Sequence, residues 1–198
     1  MKTVNLAKLR KKVEKSLEAK RYEHTLGVAY TAANLAAVHG VDVEKALIAG
    51  MLHDCAKCLG HRKQISICEK NHVILSELEM QKDSALLHAK SGCILAKEAY
   101  GITDRDILNA ICYHTTGRPH MSQLEKIIYI ADYMEPGRKR PKKAAEEDPD
   151  LLEVRRLAFQ DLDGALRKIL SDTLRYLAKK GGNVDPMTQE TYAYYLEG

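Results

Sequence analysis

Histidine and aspartate side chains stand at the ends of strongly apolar segments of this chain, where such polar groups are unusual. The clearest pair is His53-Asp54, which ends the run ALIAGMLHD. A buried imidazole or carboxylate needs a polar partner, and a bound metal ion is one such partner. Because imidazole and carboxylate together suit iron, zinc or manganese, this dipeptide indicates a candidate metal site.

More side chains of these types lie beside apolar stripes elsewhere in the sequence, namely His24, His88, His114 and Asp132. Any one of them, considered alone, fits a hydrogen-bonded structural residue better than a metal ligand. The set is more informative, because five predicted helices each present one such group. Helical bundles build metal sites from inward-facing side chains on facing helices, so the sequence favours one shared site.

The elements that would position these groups are all predicted to be helices, because apolar residues recur at helical spacing. The predicted helices cover about 6–17, 22–38, 43–52, 86–99, two segments that open at Thr103 and Ser122, 151–179, and a short segment after Pro186. The stretch 60–82 is predicted to be less regular. Since no alternating apolar-polar pattern exceeds four residues, we expect an all-α protein.

Local signals mark several of the helix ends. Ser122 with Glu125 three residues later forms a capping box, and Thr103 with Asp106 forms a weaker one. Gly40 is expected to end the second helix. The polar run RKRPKKAAEEDPD, residues 138–150, contains two prolines and is predicted to be a loop.

Length, charge and cysteine content limit the class of protein. A chain of 198 residues buries enough surface to fold as one domain without disulfides. Its net charge of +4 is too weak to indicate a nucleic-acid partner, and it fits a phosphate-rich small ligand equally well. The odd number of cysteines, five, favours a reducing compartment. With no long apolar run and no signal-peptide pattern, we expect a cytoplasmic location and no membrane contact.

An ordered set of short motifs carries a family resemblance: RYEHTLGVA, GMLHDCAK, LLHAKSG, ICYHTTG and IIYIADYMEPGR. This order resembles the HD-domain phosphohydrolase superfamily and, more closely, the bacterial YqeK family. The HD dipeptide alone is unspecific, whereas the full set with HD-x-x-K and ADYxEPGR is specific. The resemblance implies an HD-domain helical bundle, a single domain over 1–198, with the metal-site core at about 20–140 and the C-terminal helices 150–198 packed on it.

The resemblance also implies an activity and a cofactor. YqeK proteins hydrolyse diadenosine tetraphosphate symmetrically to two ADP, using water activated by an iron centre, although manganese or zinc would suit the same ligands. Matching positions one by one, the expected metal ligands are His24, His53, Asp54 and Asp132. A second metal near His88 and His114 is an alternative, as in two-metal relatives.

Further roles follow from the same matching of positions. The expected catalytic residues are Asp54, Lys57, His88 and His114, with the histidines facing the substrate phosphates or the leaving ADP oxygen. The expected substrate-binding residues are Arg21, Lys57, His88, His114, Thr115, Asp132, Arg138 and Arg175. Lysine offers a point charge and arginine a bidentate fork, so Lys57 and Arg138 should neutralise the phosphates differently.

Other functions stay open at the level of sequence. A different HD phosphohydrolase would act on a nucleoside triphosphate, a guanosine alarmone or a cyclic nucleotide. A non-catalytic nucleotide- or RNA-binding module is the third class, although the intact ligand set speaks against it. The pair Cys55 and Cys58 departs from the family pattern, but no second pair lies at zinc-ligand spacing. A homodimer is the default oligomer that we retain.

Overall fold

The structure, a computed structural model, describes residues 4–82, 84–138, 148–181 and 183–197. Within these ranges the chain forms helices and no strand, so the expected all-α class is confirmed. The helices are α1 Leu6–Ser16, α2 Ala19–Val38, α3 Val43–Leu52, α4 His61–Lys70, α5 Glu77–Met80, α6 Leu87–Glu98, α7 Arg105–Cys112, α8 Gln123–Met134, α9 Pro149–Ala158, α10 Leu162–Lys180, α11 Pro186–Tyr192, and a π-helical turn Ala193–Glu197. None of these described helices is long and apolar enough to cross a bilayer.

Helices α2, α3, α7 and α8 pack together and form the centre of the molecule. Helix α8 is apolar on most of its surface, and Ile127, Ile128 and Ile130 have no exposed area. Helices α2 and α3 pack closely at Gly50, where a Cβ atom would lie 2.6 Å from the Cα atom of Ala29. A residue without a side chain therefore lets the two helices that carry His24 and His53 come into backbone contact.

Two of the predicted helix starts can be compared with the structure directly. The capping box of Ser122 and Glu125 is present at the start of α8. At α7 the predicted cap is wrong by one residue, because Asp104 rather than Thr103 occupies the N-cap. The Asp104 carboxylate accepts hydrogen bonds from the backbone N–H groups of Asp106 and Ile107. A carboxylate also interacts favourably with the helix dipole at this end, which favours Asp104 as the cap.

The irregular structure predicted for 60–82 is wrong, since the helices α4 and α5 lie within it. Helix α4 is mostly polar and buries only Gln64 and Cys68, so its apolar periodicity is weak in the sequence. Cys68 packs against Leu87 and Ile94 in a small second cluster beside the main core. Tertiary contact, rather than sequence pattern, therefore stabilises this helix.

The single long helix predicted for 151–179 is also wrong, because the chain breaks into α9 and α10. Asp161 caps the second helix by accepting a hydrogen bond from the backbone N–H of Gly164. His39 lies with its Nε2 atom 2.7 Å from the carbonyl oxygen of Ala158, at the end of α9. Most of the predicted loop 138–150 lies outside the described residues, which omit 139–147.

The C-terminal helices are joined to the central bundle at the end of α8. Helices α9 and α10 both pack against α8. The guanidinium of Arg155 donates hydrogen bonds to the carbonyl oxygens of Met134 and Glu135, each 3.1 Å long. Arg155 thus satisfies carbonyl groups that the last turn of α8 leaves without intrahelical partners.

Candidate metal centre

Five helices converge on one buried cluster of imidazoles and carboxylates. Helix α2 supplies one histidine, and the end of α3 supplies the HD dipeptide. Helix α6 and the turn after α7 supply one histidine each, and α8 supplies one aspartate. These residues are His24, His53, Asp54, His88, His114 and Asp132. The structure therefore brings together all six groups that the apolar stripes single out in the sequence.

His24, His53 and Asp132 form one group whose ligand atoms all lie within 4.8 Å of one another, and Asp54 lies close to both histidines. The Nε2 atom of His24 lies 3.0 Å from Asp132 Oδ1 and 3.8 Å from Asp54 Oδ2. The Nε2 atom of His53 lies 3.5 Å from Asp54 Oδ2 and 3.8 Å from Asp132 Oδ1. Ligand atoms at about 2.1 Å from a metal stand about 3.0–3.4 Å apart in octahedral or tetrahedral geometry. The cluster thus has nearly the size that a single ion requires.

The imidazole nitrogens show why these groups fit a cation. His53 Nδ1 lies 2.7 Å from the carbonyl oxygen of Gly50, so it carries the proton and Nε2 presents its lone pair. His24 Nδ1 lies 3.1 Å from Glu135 Oε1, with the same consequence for its own Nε2. Both Nε2 atoms are buried, and neither makes a hydrogen bond of acceptable geometry among the described residues, although carboxylate oxygens lie 3.0–3.8 Å away. Because a buried polar atom without a partner costs free energy, a metal ion at this point would satisfy both.

Asp54 links this group to a second one through its other oxygen. Its Oδ1 atom lies 3.0 Å from His88 Nε2 and 3.7 Å from His114 Nε2. The two Nε2 atoms of His88 and His114 are themselves 3.0 Å apart. His53, Asp54 and His114 also form a group whose ligand atoms lie within 4.8 Å of one another. One carboxylate therefore stands between two pairs of imidazoles.

Cationic side chains border the cluster. Arg21 contacts Asp54 Oδ2 at 2.8 Å, and Arg138 contacts Asp132 Oδ1 at the same distance. The ammonium of Lys57 lies 3.0 Å from His88 Nδ1. The side chains of Arg21 and Arg138 are 33% and 45% exposed, so they lie where a solvent-borne anion would arrive.

The environment lowers the pKa values of two carboxylates and one imidazole of the cluster, for different reasons. Burial alone would raise the pKa of Asp54, but His53 and its other imidazole neighbours hold it well below its usual value. The pKa of Asp132 is likewise lowered, because His24, His53 and Arg138 outweigh its burial. Burial lowers the pKa of His88 to about 4, although Asp54 opposes it. At neutral pH the cluster thus combines charged carboxylates with a neutral His88.

Two further predicted site residues occupy different surroundings. Thr115 follows His114 directly, and its hydroxyl is buried without a hydrogen-bond partner among the described residues. Arg175 lies on α10, where it pairs with Asp172 and is largely exposed. No contact between Arg175 and the cluster is found among the described residues, so its predicted role in substrate binding stays a prediction.

The pair Cys55 and Cys58 does not share one environment. Cys55 is buried and donates a hydrogen bond from Sγ to the carbonyl oxygen of Gly92, whereas Cys58 is exposed. Burial raises the pKa of the Cys55 thiol to about 12, so it is protonated at neutral pH. Neither sulfur belongs to a group with metal-ligand spacing among the described residues.

Glu135 is the residue of this site that the sequence analysis misses. It follows α8 directly, is 3% exposed, and contacts His24. The signal was available, because an acidic residue after an apolar helix is the same pattern that singles out His53-Asp54. Glu135 also lies within the motif IIYIADYMEPGR, in which only Asp132 and Arg138 are assigned roles from the sequence.

Comparisons with known proteins identify a family and similar chains. The HD domain family matches residues 21–137. A protein from Bacillus subtilis named symmetrical bis(5'-nucleosyl)-tetraphosphatase is 42% identical over 94% of this chain and 95% of its own. A protein of the same name from Halalkalibacterium halodurans is 39% identical over 98% of both chains. A crystal structure from Clostridium acetobutylicum, described as a predicted HD superfamily hydrolase involved in NAD metabolism, matches with a TM-score of 0.87 at 44% identity, covering 98% of this chain and 97% of that one.

Proposed function

The chain belongs to the HD-domain family, and on that premise we propose that it is a metal-dependent hydrolase that cleaves diadenosine tetraphosphate symmetrically into two ADP. The observation that carries the chemistry is the pair of buried, unpartnered Nε2 atoms of His24 and His53, which face two carboxylates. The substrate class is supported by relatives of that name, which are similar to this chain over nearly its whole length.

The ion would be held by His24, His53, Asp54 and Asp132. Two imidazoles and two carboxylates accept iron, which we propose first, as well as manganese or zinc. When bound, such an ion activates a water molecule for attack and polarises a phosphoryl oxygen. A second ion near His88 and His114 stays the alternative; the group His53, Asp54 and His114 has ligand spacing but shares two residues with the first set.

The remaining groups of the cluster would bind and orient the tetraphosphate. Arg21 and Arg138 lie at its partly exposed edge and present planar guanidinium groups suited to phosphate oxygens. Thr115 offers a buried hydroxyl without a partner among the described residues, which a phosphate or sugar oxygen would satisfy. Phosphoryl transfer depends mainly on such positioning and charge neutralisation.

A hydrogen-bonded pair supplies the proton for the leaving ADP. The Lys57 ammonium donates to His88 Nδ1, so the His88 proton is held at Nε2. His114 holds its own proton at Nδ1, which lies 2.7 Å from the carbonyl oxygen of Ile111. His88 therefore carries the Nε2–H that faces Asp54 and His114, and we assign to it the donation to the departing phosphate oxygen. In the same step the Lys57 ammonium would pass a proton to His88 Nδ1, so that the ring stays neutral and Lys57 becomes the neutral amine.

Several finer predictions accompany this function. The proposed partner is a dinucleoside polyphosphate, and a nucleic-acid partner is not expected. We also propose a cytoplasmic location and a homodimer. The organisation as one domain over 1–198 is proposed on the same basis. Each of these stays a prediction, since it rests on the sequence and the family rather than on the site's geometry.

The test is product analysis after incubation of the full chain with diadenosine tetraphosphate and either iron or manganese. ADP as the sole product is the expected result. AMP with ATP would retain a metal hydrolase but reject symmetrical cleavage. Failure of a metal-loaded protein to turn over would favour another nucleotide, which a panel of triphosphates, alarmones and cyclic nucleotides would identify. Failure to bind any metal would favour the non-catalytic module.

A further inference from the structure

Glu135 lies behind His24, on the side away from the converging ligand atoms. We propose that Glu135 is a positioning residue that orients His24 and strengthens the binding of the metal ion. This inference rests on the proposed metal site. It concerns a residue that does not contact the ion, because Glu135 contacts the opposite ring nitrogen of His24.

Both carboxylate oxygens of Glu135 are engaged by donors. Oε1 lies 3.1 Å from His24 Nδ1, and Oε2 accepts a hydrogen bond from the backbone N–H of Gly137. The side chain is only 4% exposed, so water cannot readily replace the contact with His24 or the one with Gly137 if either is lost. A buried carboxylate with two donors has a single favourable orientation, and this orientation determines the plane of the His24 ring.

Two glycines make room for the carboxylate. A Cβ atom on Gly27 would lie 2.6 Å from Glu135 Oε2, and one on Gly137 would lie 2.9 Å from the same atom. Gly27 is in the interior of α2, where alanine would otherwise be preferred over glycine. Gly27 therefore makes room for Glu135 although glycine is unfavourable within α2.

The backbone of Glu135 is held from another direction. Arg155, on α9, donates to the carbonyl oxygens of Met134 and Glu135. The side chain reaches His24 on α2, so Glu135 connects the C-terminal helices with the ligand-bearing helix. Its position is thus determined by contacts from three separate parts of the chain.

The chemical consequence concerns the His24 lone pair. With Nδ1–H donated to a carboxylate, Nε2 is the unprotonated nitrogen, and it points toward Asp132 and Asp54. A carboxylate partner also makes the imidazole a better electron donor, as second-layer partners of metal-bound histidine do. Removal of such a partner lowers metal affinity by about 10- to 100-fold.

The experiment is calorimetric titration of the metal-stripped full chain with Mn²⁺ alone. We expect Glu135→Ala to weaken Mn²⁺ binding by about 10- to 100-fold. Gly27→Ala should weaken binding too, because the new methyl group displaces the carboxylate, and it should also lower the melting temperature of the metal-free protein, since the displaced carboxylate loses two buried contacts. A purely structural role for Glu135 would lower the melting temperature of both variants and leave their Mn²⁺ affinity within twofold.

Glu125→Gln is the matched control, since Glu125 is a buried carboxylate at the other end of α8 that also accepts a backbone N–H. It should lower the melting temperature and leave Mn²⁺ affinity within twofold. Unchanged affinity in Glu135→Ala and Gly27→Ala, with normal binding by the parent chain, would overturn this inference alone. An equal loss in Glu125→Gln would overturn it as well. Absence of Mn²⁺ binding by the parent chain would overturn the proposed function together with the inference.

Discussion

Replacement of Gly50 by alanine is expected to separate the two helices that carry His24 and His53. The added Cβ atom would lie 2.6 Å from the Cα atom, 3.1 Å from the backbone nitrogen and 3.3 Å from the Cβ atom of Ala29. Carbon atoms in contact prefer about 3.5–4.0 Å, so α2 and α3 must move apart by about 1 Å. The nearest atom is backbone, so no flexible side chain can move away to relieve the contact.

The magnitude follows from two opposing contributions. Overpacking of this kind costs about 1–3 kcal/mol, whereas alanine in place of helical glycine contributes up to about 1 kcal/mol of stability. We therefore expect a net loss of about 1–2 kcal/mol in the free energy of unfolding, or roughly 2–8 °C in melting temperature for a chain of this size. The same shift should weaken Mn²⁺ binding, because the carbonyl oxygen of Gly50 is hydrogen-bonded to His53 Nδ1.

The assay is urea denaturation together with Mn²⁺ titration, and Gly92→Ala is the matched control. Gly92 is also a buried helical glycine near the site, but its added Cβ atom would meet neighbours at 3.6–3.7 Å, which is ordinary contact. Gly92→Ala should therefore be neutral or stabilising by up to about 1 kcal/mol. A Gly50→Ala protein as stable as the parent, with unchanged metal affinity, would refute the argument. So would an equal loss in Gly92→Ala.

Three other predictions concern individual side chains. Asp54→Ala should abolish metal binding and hydrolysis together, and a metal-replete, active variant, measured by metal analysis and ADP release, would reject the proposed ligand set. Lys57→Ala should retain the metal, since the Lys57 ammonium contacts His88 rather than a proposed metal ligand. The variant should lower kcat by about 100-fold. Normal turnover would remove Lys57 from the mechanism. Asp104→Ala should lower the free energy of unfolding by about 1 kcal/mol through loss of the α7 cap, whereas Thr103→Ala should be nearly neutral. Equal effects of the two variants on urea denaturation would contradict the assignment of Asp104 as the cap.

Sequence alone predicts the parts of this protein that depend on neighbours within one or two helical turns. The capping box of Ser122 and Glu125 is such a part, because its donors and acceptors lie three residues apart. The same holds for the polar pair at the end of α3, where His53 hydrogen-bonds to a carbonyl oxygen three residues earlier. The helical class follows from periodicity, which is also a local property.

Elements that depend on tertiary contact are predicted less well. Helix α4 has a weak apolar stripe, and its buried Cys68 finds its partners on α6. The break between α9 and α10 is not marked by proline or glycine, and its position coincides with a contact from His39 to Ala158. For α4 the deciding partner comes from a distant part of the chain, so a window of neighbouring residues does not reveal it. At the break, the Asp161 cap on the N–H of Gly164 is a local signal as well.

At the metal centre, the residue types at the ends of apolar helices are enough to predict the metal chemistry that they suit. The packing of the helices establishes which oxygen of Asp54 faces which pair of imidazoles, and it brings Glu135 to His24 across 111 positions of sequence. Hydrogen bonds act over about 3 Å, and helices distant in sequence reach that separation only when their apolar faces pack.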